Sequence, residues 1–162
     1  MTILTHTGGP ASSALWCFCL TVASAIFPWV NAEIIVLALR AGSPSKYAIF
    51  LLVIAATAGQ MTGKSMLYFA GRKGEQALPS RVARLMQKWR RWLEAHPSGA
   101  HGLVLISAIT GLPPFYAMTL VAGAVKMKFA HYLLVGTTGR LIHFAAVAYL
   151  PGLALSVLRK SV

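Results

Sequence analysis

Apolar runs broken by prolines, glycines and a few isolated charges set out the elements of this chain. Residues 11–27 are almost wholly apolar and predict a first helix. It ends or kinks at Pro28, because proline lacks an amide donor and its ring clashes with the preceding turn. Residues 31–40 have room only for a short helix before Gly42 and Pro44. Ten residues rise about 15 Å as a helix, half the thickness of a hydrocarbon core, so this piece predicts a re-entrant or broken segment. Residues 46–71 form a full span without proline, with Ala55, Gly59 and Gly63 as a small-residue ridge at spacing four that permits close helix contact. Thr57, Gln60, Lys64 and Tyr68 make a polar stripe on a neighbouring face. The second half repeats the plan: an apolar run over 102–110, a break at "GLPPF" (111–115), a resumed helix over 116–125 and a span over 129–150 before Pro151. That span carries Gly136, Arg140 and His143 on overlapping faces, and a short tail follows over 153–162.

Between the halves lies the one strongly charged stretch, residues 72–100. Ser80 is placed to cap a helix whose apolar face is Val82, Leu85, Met86, Trp89 and Leu93, opposite Arg81, Arg84, Lys88 and Arg91. This pattern predicts an amphipathic helix lying on anionic lipid, and seven Lys or Arg between Arg72 and Arg91 put the loop on the cytoplasmic side. Trp16, Trp29, Trp89 and Trp92 are read as interface anchors.

Composition moves the whole chain into a bilayer. Of 162 residues, 57% are hydrophobic and 11% charged, with a mean hydropathy of +0.66; that is outside the range of soluble domains. No charged residue precedes Glu33, and none lies between Lys46 and Lys64, Glu94 and Lys126, or Arg140 and Arg159. The formal charge of +12 is assigned to lipid headgroups and topology, since a nucleic-acid binder needs a solvated basic face on a soluble body. With only three acidic residues the chain assembles no catalytic triad, carboxylate pair or metal cluster, so no enzyme activity, cofactor or metal is expected. Cys17 and Cys19, two apart on a helix, favour neither a disulfide nor a metal pair. The start lacks the cationic n-region of a signal peptide, so the first helix is expected to be retained.

The fold class predicted is an all-α integral membrane protein, one membrane domain over 1–162. A first half (11–71) and a second half (101–158), each helix, broken segment, helix, form an inverted repeat with re-entrant elements about the basic loop 72–100. Paired interrupted segments are the sequence sign of transporters that bind substrate near the midplane. Whether the second broken segment is re-entrant or crosses fully is left open, and with it the side of the C-terminus.

The intramembrane ionisable residues are the candidate chemistry. Glu33 is either a proton-coupling group, its proton affinity raised by desolvation, or a cap accepting backbone amides at the start of the short helix. Arg140 and Lys64 either receive the phosphate of an anionic lipid, as a fork and a point charge, or serve as structural partners of Glu33. Two buried cations against one buried acid leave a positive surplus that an anionic headgroup would satisfy. His143 is a packed polar residue or a proton relay, and Asn31 satisfies backbone groups freed beside Pro28. Gln60 and Tyr68 join Asn31, Lys64, Arg140 and His143 as the substrate-binding set. Gly59, Gly63, Gly71, Gly123 and Gly139 are packing positions, and Pro28, Pro113 and Pro114 shape the breaks.

"FPWVNAEIIV" followed by "AGQMTGKSMLYFAGRKG" resembles the first half of the DedA family, whose shared unit is also called the VTT or SNARE-associated Golgi protein domain. "SAITGLPPFYAMTLVAGAVKMKFAHYLLVGTTGRLIHF" is similar to its second half. The resemblance, over residues 27–150, implies two re-entrant elements meeting in the membrane, transbilayer movement of phospholipid or polyprenyl phosphate, proton-dependent behaviour, and a multi-pass location in the bacterial inner membrane. On that pattern Glu33 matches the family's acidic position. Many bacterial members carry arginines around the second proline break, where this chain has "ITGLPPFYAM"; Arg140 is the nearest intramembrane candidate, which fits a smaller branch. The leading expectation is thus a lipid translocase whose partners are membrane lipids and their anionic headgroups, without nucleic acid and with homo-oligomerisation left open. The rivals are a proton-coupled exporter of small solutes or ions and a non-transporting protein that recruits partners through its basic loop.

Overall fold

The computed structural model describes residues 9–27, 30–42, 45–73, 84, 87, 89–92, 95 and 99–160, the side chains of 100 and 152–160 excepted. All its regular structure is helical. Helix α1 (Pro10–Ile26) opens on a proline, whose fixed φ suits the first turn and whose missing amide would have no partner there. It closes at Phe27, whose amide still donates to Ala23 O at 3.0 Å. Pro28 lies outside the described residues, as do Trp29, Ser80 and most of the basic loop with its expected amphipathic helix. Within that loop Arg84, Gln87, Ala95 and residues 89–92 are helical.

Helix α2 (Ala32–Ala41) is ten residues long and is capped by Asn31, whose Oδ1 accepts from Glu33 N at 2.8 Å and Ile34 N at 3.3 Å. The freed amides at this helix start therefore go to the asparagine. Helix α3 (Lys46–Lys73) begins where Ser45 Oγ accepts from Ala48 N at 3.0 Å. Helix α4 (Gly99–Thr110) and helix α5 (Phe115–Ala124) are separated by the glycine-proline break, and helix α6 (Phe129–Lys160) follows. α3 and residues 129–151 of α6 are long and apolar enough to cross a membrane; 28 residues reach about 42 Å at 1.5 Å each, against about 30 Å of hydrocarbon. The order is long or medium helix, ten-residue helix, long helix, twice over. In each half the ten-residue helix packs on the helix before it, α2 on α1 and α5 on α4.

One boundary differs from the sequence reading: α6 does not stop before Pro151 but runs through it to Lys160. An internal proline deletes a single amide donor, and the flanking bonds carry the helix past it, as spanning helices tolerate. The two short helices also differ in burial. In α5 nearly every residue is buried, Phe115 and everything from Ala117 to Gly123, because small side chains let neighbours approach all round. α2 buries only Ala32 and Val36 and exposes Ile34 and Leu37.

The chain divides into two compact units that cut across the sequence halves. The first takes residues 1–60 and 141–162, the second residues 61–140, so α3 and α6 each give one part to either unit. The core of the first is Cys17, Ala32, Val36, Leu52, Val53, Ala56, Phe144 and Ala148. That of the second includes Met61, Tyr68, Val104, Ala108, Phe115, Met118, Val121 and Tyr132, with Trp89 packed against it. In the first unit a Cβ at Gly59 would strike Thr21 and Phe18 O, and Gln60 Nε2 donates to Ser24 Oγ at 3.2 Å.

α5 ends in a turn that is normally made with glycine. Lys126 has φ +53, its amide donates to Gly123 O at 3.0 Å, and the Met127 amide donates to Ala122 O at 3.0 Å. This pair of bonds closes the last helical turn around a left-handed residue, a conformation that costs a side-chain-bearing residue about 1 kcal/mol. Lys126→Gly is expected to raise stability by about that amount, read as a higher midpoint of thermal unfolding in detergent; an unchanged or lower midpoint refutes it.

Candidate functional site

Each unit brings a charged or polar group of α6 to the break of its own hairpin. In the first unit the break precedes α2, and Glu33 sits in that helix's first turn, where the positive helix end favours a carboxylate. Its Oε1 lies 2.8 Å from His143 Nε2. The side chains are 33% and 15% exposed, so the surrounding protein covers most of the pair. The ring of His143 also meets Phe144 edge-on, centroids 5.4 Å apart. Carboxylate and imidazole are thus within hydrogen-bond reach of one another, the ring nitrogen donating or accepting according to its tautomer.

In the second unit the break lies between α4 and α5. Gly111 takes φ +77, Ser107 Oγ donates to Pro113 O, and Thr110 Oγ1 donates to Leu112 O at 3.0 Å while accepting from Leu112 N at 3.1 Å. Helix α4 thus ends with carbonyls that have no intrahelical donor. Arg140 answers one of them, its guanidinium donating to Ala108 O at 3.5 Å, and its Cζ stands 5.3 Å from the centroid of the Phe115 ring, the first residue of α5. One side chain therefore touches both sides of the break, held by a helix C-terminus and by the face of an aromatic ring. It is 6% exposed, and Lys64 in the same unit is 5% exposed. Cations at such depth persist in a membrane only where protein, water or an anion satisfies them.

Around these lies a buried polar set in which Tyr68 joins Thr119 and Tyr132, two residues that the sequence did not single out. Thr119 Oγ1 donates to Phe115 O at 2.8 Å and meets the Tyr132 hydroxyl at 3.1 Å. The ring of Tyr132 stacks on Tyr68 with centroids 4.9 Å apart, and the Tyr68 hydroxyl donates to Met127 O. Two tyrosines inside apolar runs were the available signal, since a buried phenol needs a polar partner. Close helix contact is provided at Gly71 and Gly123. A Cβ on the first would overlap Leu120 O, and one on the second would overlap Tyr68 O. A Cβ on Gly139 would lie 3.2 Å from Leu105 O and closer still to Ala108 Cβ.

Of the residues picked out on the sequence, Glu33 and His143 are in contact. Asn31 is the α2 cap, Gln60 bonds Ser24, and Tyr68 is tied to the Met127 backbone. Gly63 is buried, Pro113 is half-buried, and Pro114 is the exposed residue preceding α5. Among the described residues no group of three His, Cys, Asp or Glu is placed to hold a metal.

Two helices long and apolar enough to cross a membrane, two hairpins that each break before a ten-residue helix, and ionisable groups at those breaks fit a helical membrane protein of transporter-like construction. The chain belongs to the VTT domain family, the domain of DedA proteins: the family profile described as VTT domain matches residues 27–151. That family is membrane-associated, which settles the environment that length and apolarity alone leave open. No curated protein and no solved structure matches the chain.

Proposed function

We propose that this protein is a lipid translocase of a bacterial inner membrane, a transporter rather than an enzyme. A phosphate headgroup enters at the α4–α5 break, meets the guanidinium of Arg140 and the ammonium of Lys64, and passes while its acyl tails stay in the bilayer. The observation that carries this is the depth of the two cations. Glu33 is the one acid in the apolar segments, since Glu75 and Glu94 belong to the basic loop, so the buried charge count favours an anion. The ten-residue helices α2 and α5, each about 15 Å long, are the arms of two re-entrant hairpins related by inversion, with the loop 72–100 cytoplasmic.

Proton exchange at Glu33 and His143 biases the direction. The contact of carboxylate and imidazole supports this exchange; the same contact supports the second reading, a proton-coupled exporter of small solutes. Reconstitution into liposomes separates the two. Translocase function requires that labelled phospholipid or polyprenyl phosphate change leaflets faster with protein than without, and equal rates at every pH reject it. Glu33→Gln is expected to flatten the pH dependence of that rate while leaving protein in the membrane, and His143→Gln to do the same. Loss of solute flux in Glu33→Gln with lipid movement untouched favours the exporter.

A further inference from the structure

A second pair of histidines lies apart from the groups used above. His101 is on the first turn of α4 and His131 on the first turn of α6, both exposed and both in the second unit. Their ring centroids are 5.4 Å apart and their planes are inclined at 62°. Two imidazoles on one zinc ion, with Zn–N of about 2.0–2.1 Å and each ring centre about 3.2 Å from the metal, stand roughly 5.2 Å apart at the tetrahedral angle. The observed spacing is close to that of a chelating pair, so two exposed rings need only turn about their side-chain bonds to present one nitrogen each to a single ion.

The scaffold beneath is rigid enough to hold this geometry. Further along the same two helices Gly139 packs so close to α4 that no Cβ fits between them, which fixes the separation of α4 and α6. Both rings are exposed on the surface of the unit. Nitrogen ligands without thiolate or carboxylate select ions that suit imidazole, Zn²⁺, Cu²⁺ or Ni²⁺, over Mg²⁺ or Ca²⁺. Nothing in the proposed transport route uses either residue.

We propose that His101 and His131 form a two-point binding site for a first-row transition-metal ion, which staples the start of α4 to the start of α6. The sequence reading expected no metal, because it looked for clusters and these two residues are thirty positions apart. A metal held by two side chains on different helices binds the folded unit alone, so it also raises stability by mass action.

The test is titration of the full-length, tag-free protein in detergent with Zn²⁺ alone, and separately with Cu²⁺ alone, followed by calorimetry and, for copper, by electron paramagnetic resonance. Wild type is expected to take up one equivalent that His101→Ala and His131→Ala each weaken by at least about tenfold, since either change turns a chelate into a single ligand. The copper spectrum is expected to show coupling to two nitrogens, falling to one in either variant. Thermal unfolding is expected to shift upward with Zn²⁺ in wild type and not in the variants. His101→Gln and His131→Gln, which keep a polar side chain on these exposed positions, are expected to lose the metal with unchanged helix content. Equal uptake by wild type and the double variant overturns the proposal, because the metal then sits elsewhere. Loss with only one of the two substitutions overturns it as well.

Discussion

Arg140→Gln is expected to slow transbilayer movement of a phosphate-bearing lipid by at least about tenfold, the cost of one charge-assisted contact to the headgroup. Arg140→Lys is expected to fall between the two, keeping the charge but not the planar fork. Both substitutions lose the guanidinium over the Phe115 ring and its bond to Ala108 O, so both disturb the α4–α5 break. Comparing them separates transport from folding. If Gln and Lys lower the unfolding midpoint equally yet differ in rate, the charge acts on the substrate. Equal rates in wild type and Gln remove Arg140 from the route.

The largest loss of stability is expected from Gly123→Ala. A Cβ there would overlap Tyr68 O and lie 3.0 Å from Arg72 N, and both are backbone atoms that no rotamer change can move aside. Gly71 makes the reciprocal approach on the other helix, against Leu120 O, so neither chain has slack to give. The substitution is expected to cost more than about 3 kcal/mol, the range of severe overpacking. Gly102→Ala is its internal control: it lies mid-helix in α4 with nothing within 4 Å, and is expected to stabilise by up to about 1 kcal/mol. Detergent unfolding of the pair decides it. A Gly123→Ala protein as stable as wild type would mean that the helices can separate at this contact.

What the sequence disclosed were features written in local chemistry. The breaks before α2 and between α4 and α5 follow from prolines and glycines within a few residues, and the ten-residue length of both short helices follows from those breaks. Asn31 as a cap is likewise a matter of adjacency. Features that depend on distant residues were hidden. Glu33 and His143 are 110 positions apart, and no pattern in either segment names the other. Arg140 stood out as a buried charge, but its contacts with a backbone carbonyl and a ring leave no mark on composition. The unequal burial of α2 and α5 comes from which neighbours each meets, so the repeat in sequence order overstated their likeness. Pro151 misled because the rule for proline in helices is weaker inside a spanning segment.

The division of the long helices bears on how the chain is made. Residues 61–140 form a contiguous block, so everything the second unit requires lies in one unbroken stretch of chain. The first unit is discontinuous, since Phe144 and Ala148 of its core, and the imidazole that meets Glu33, follow that block in the chain. The core around the opening helices therefore needs residues made after the whole of that block, and only then does Glu33 meet His143.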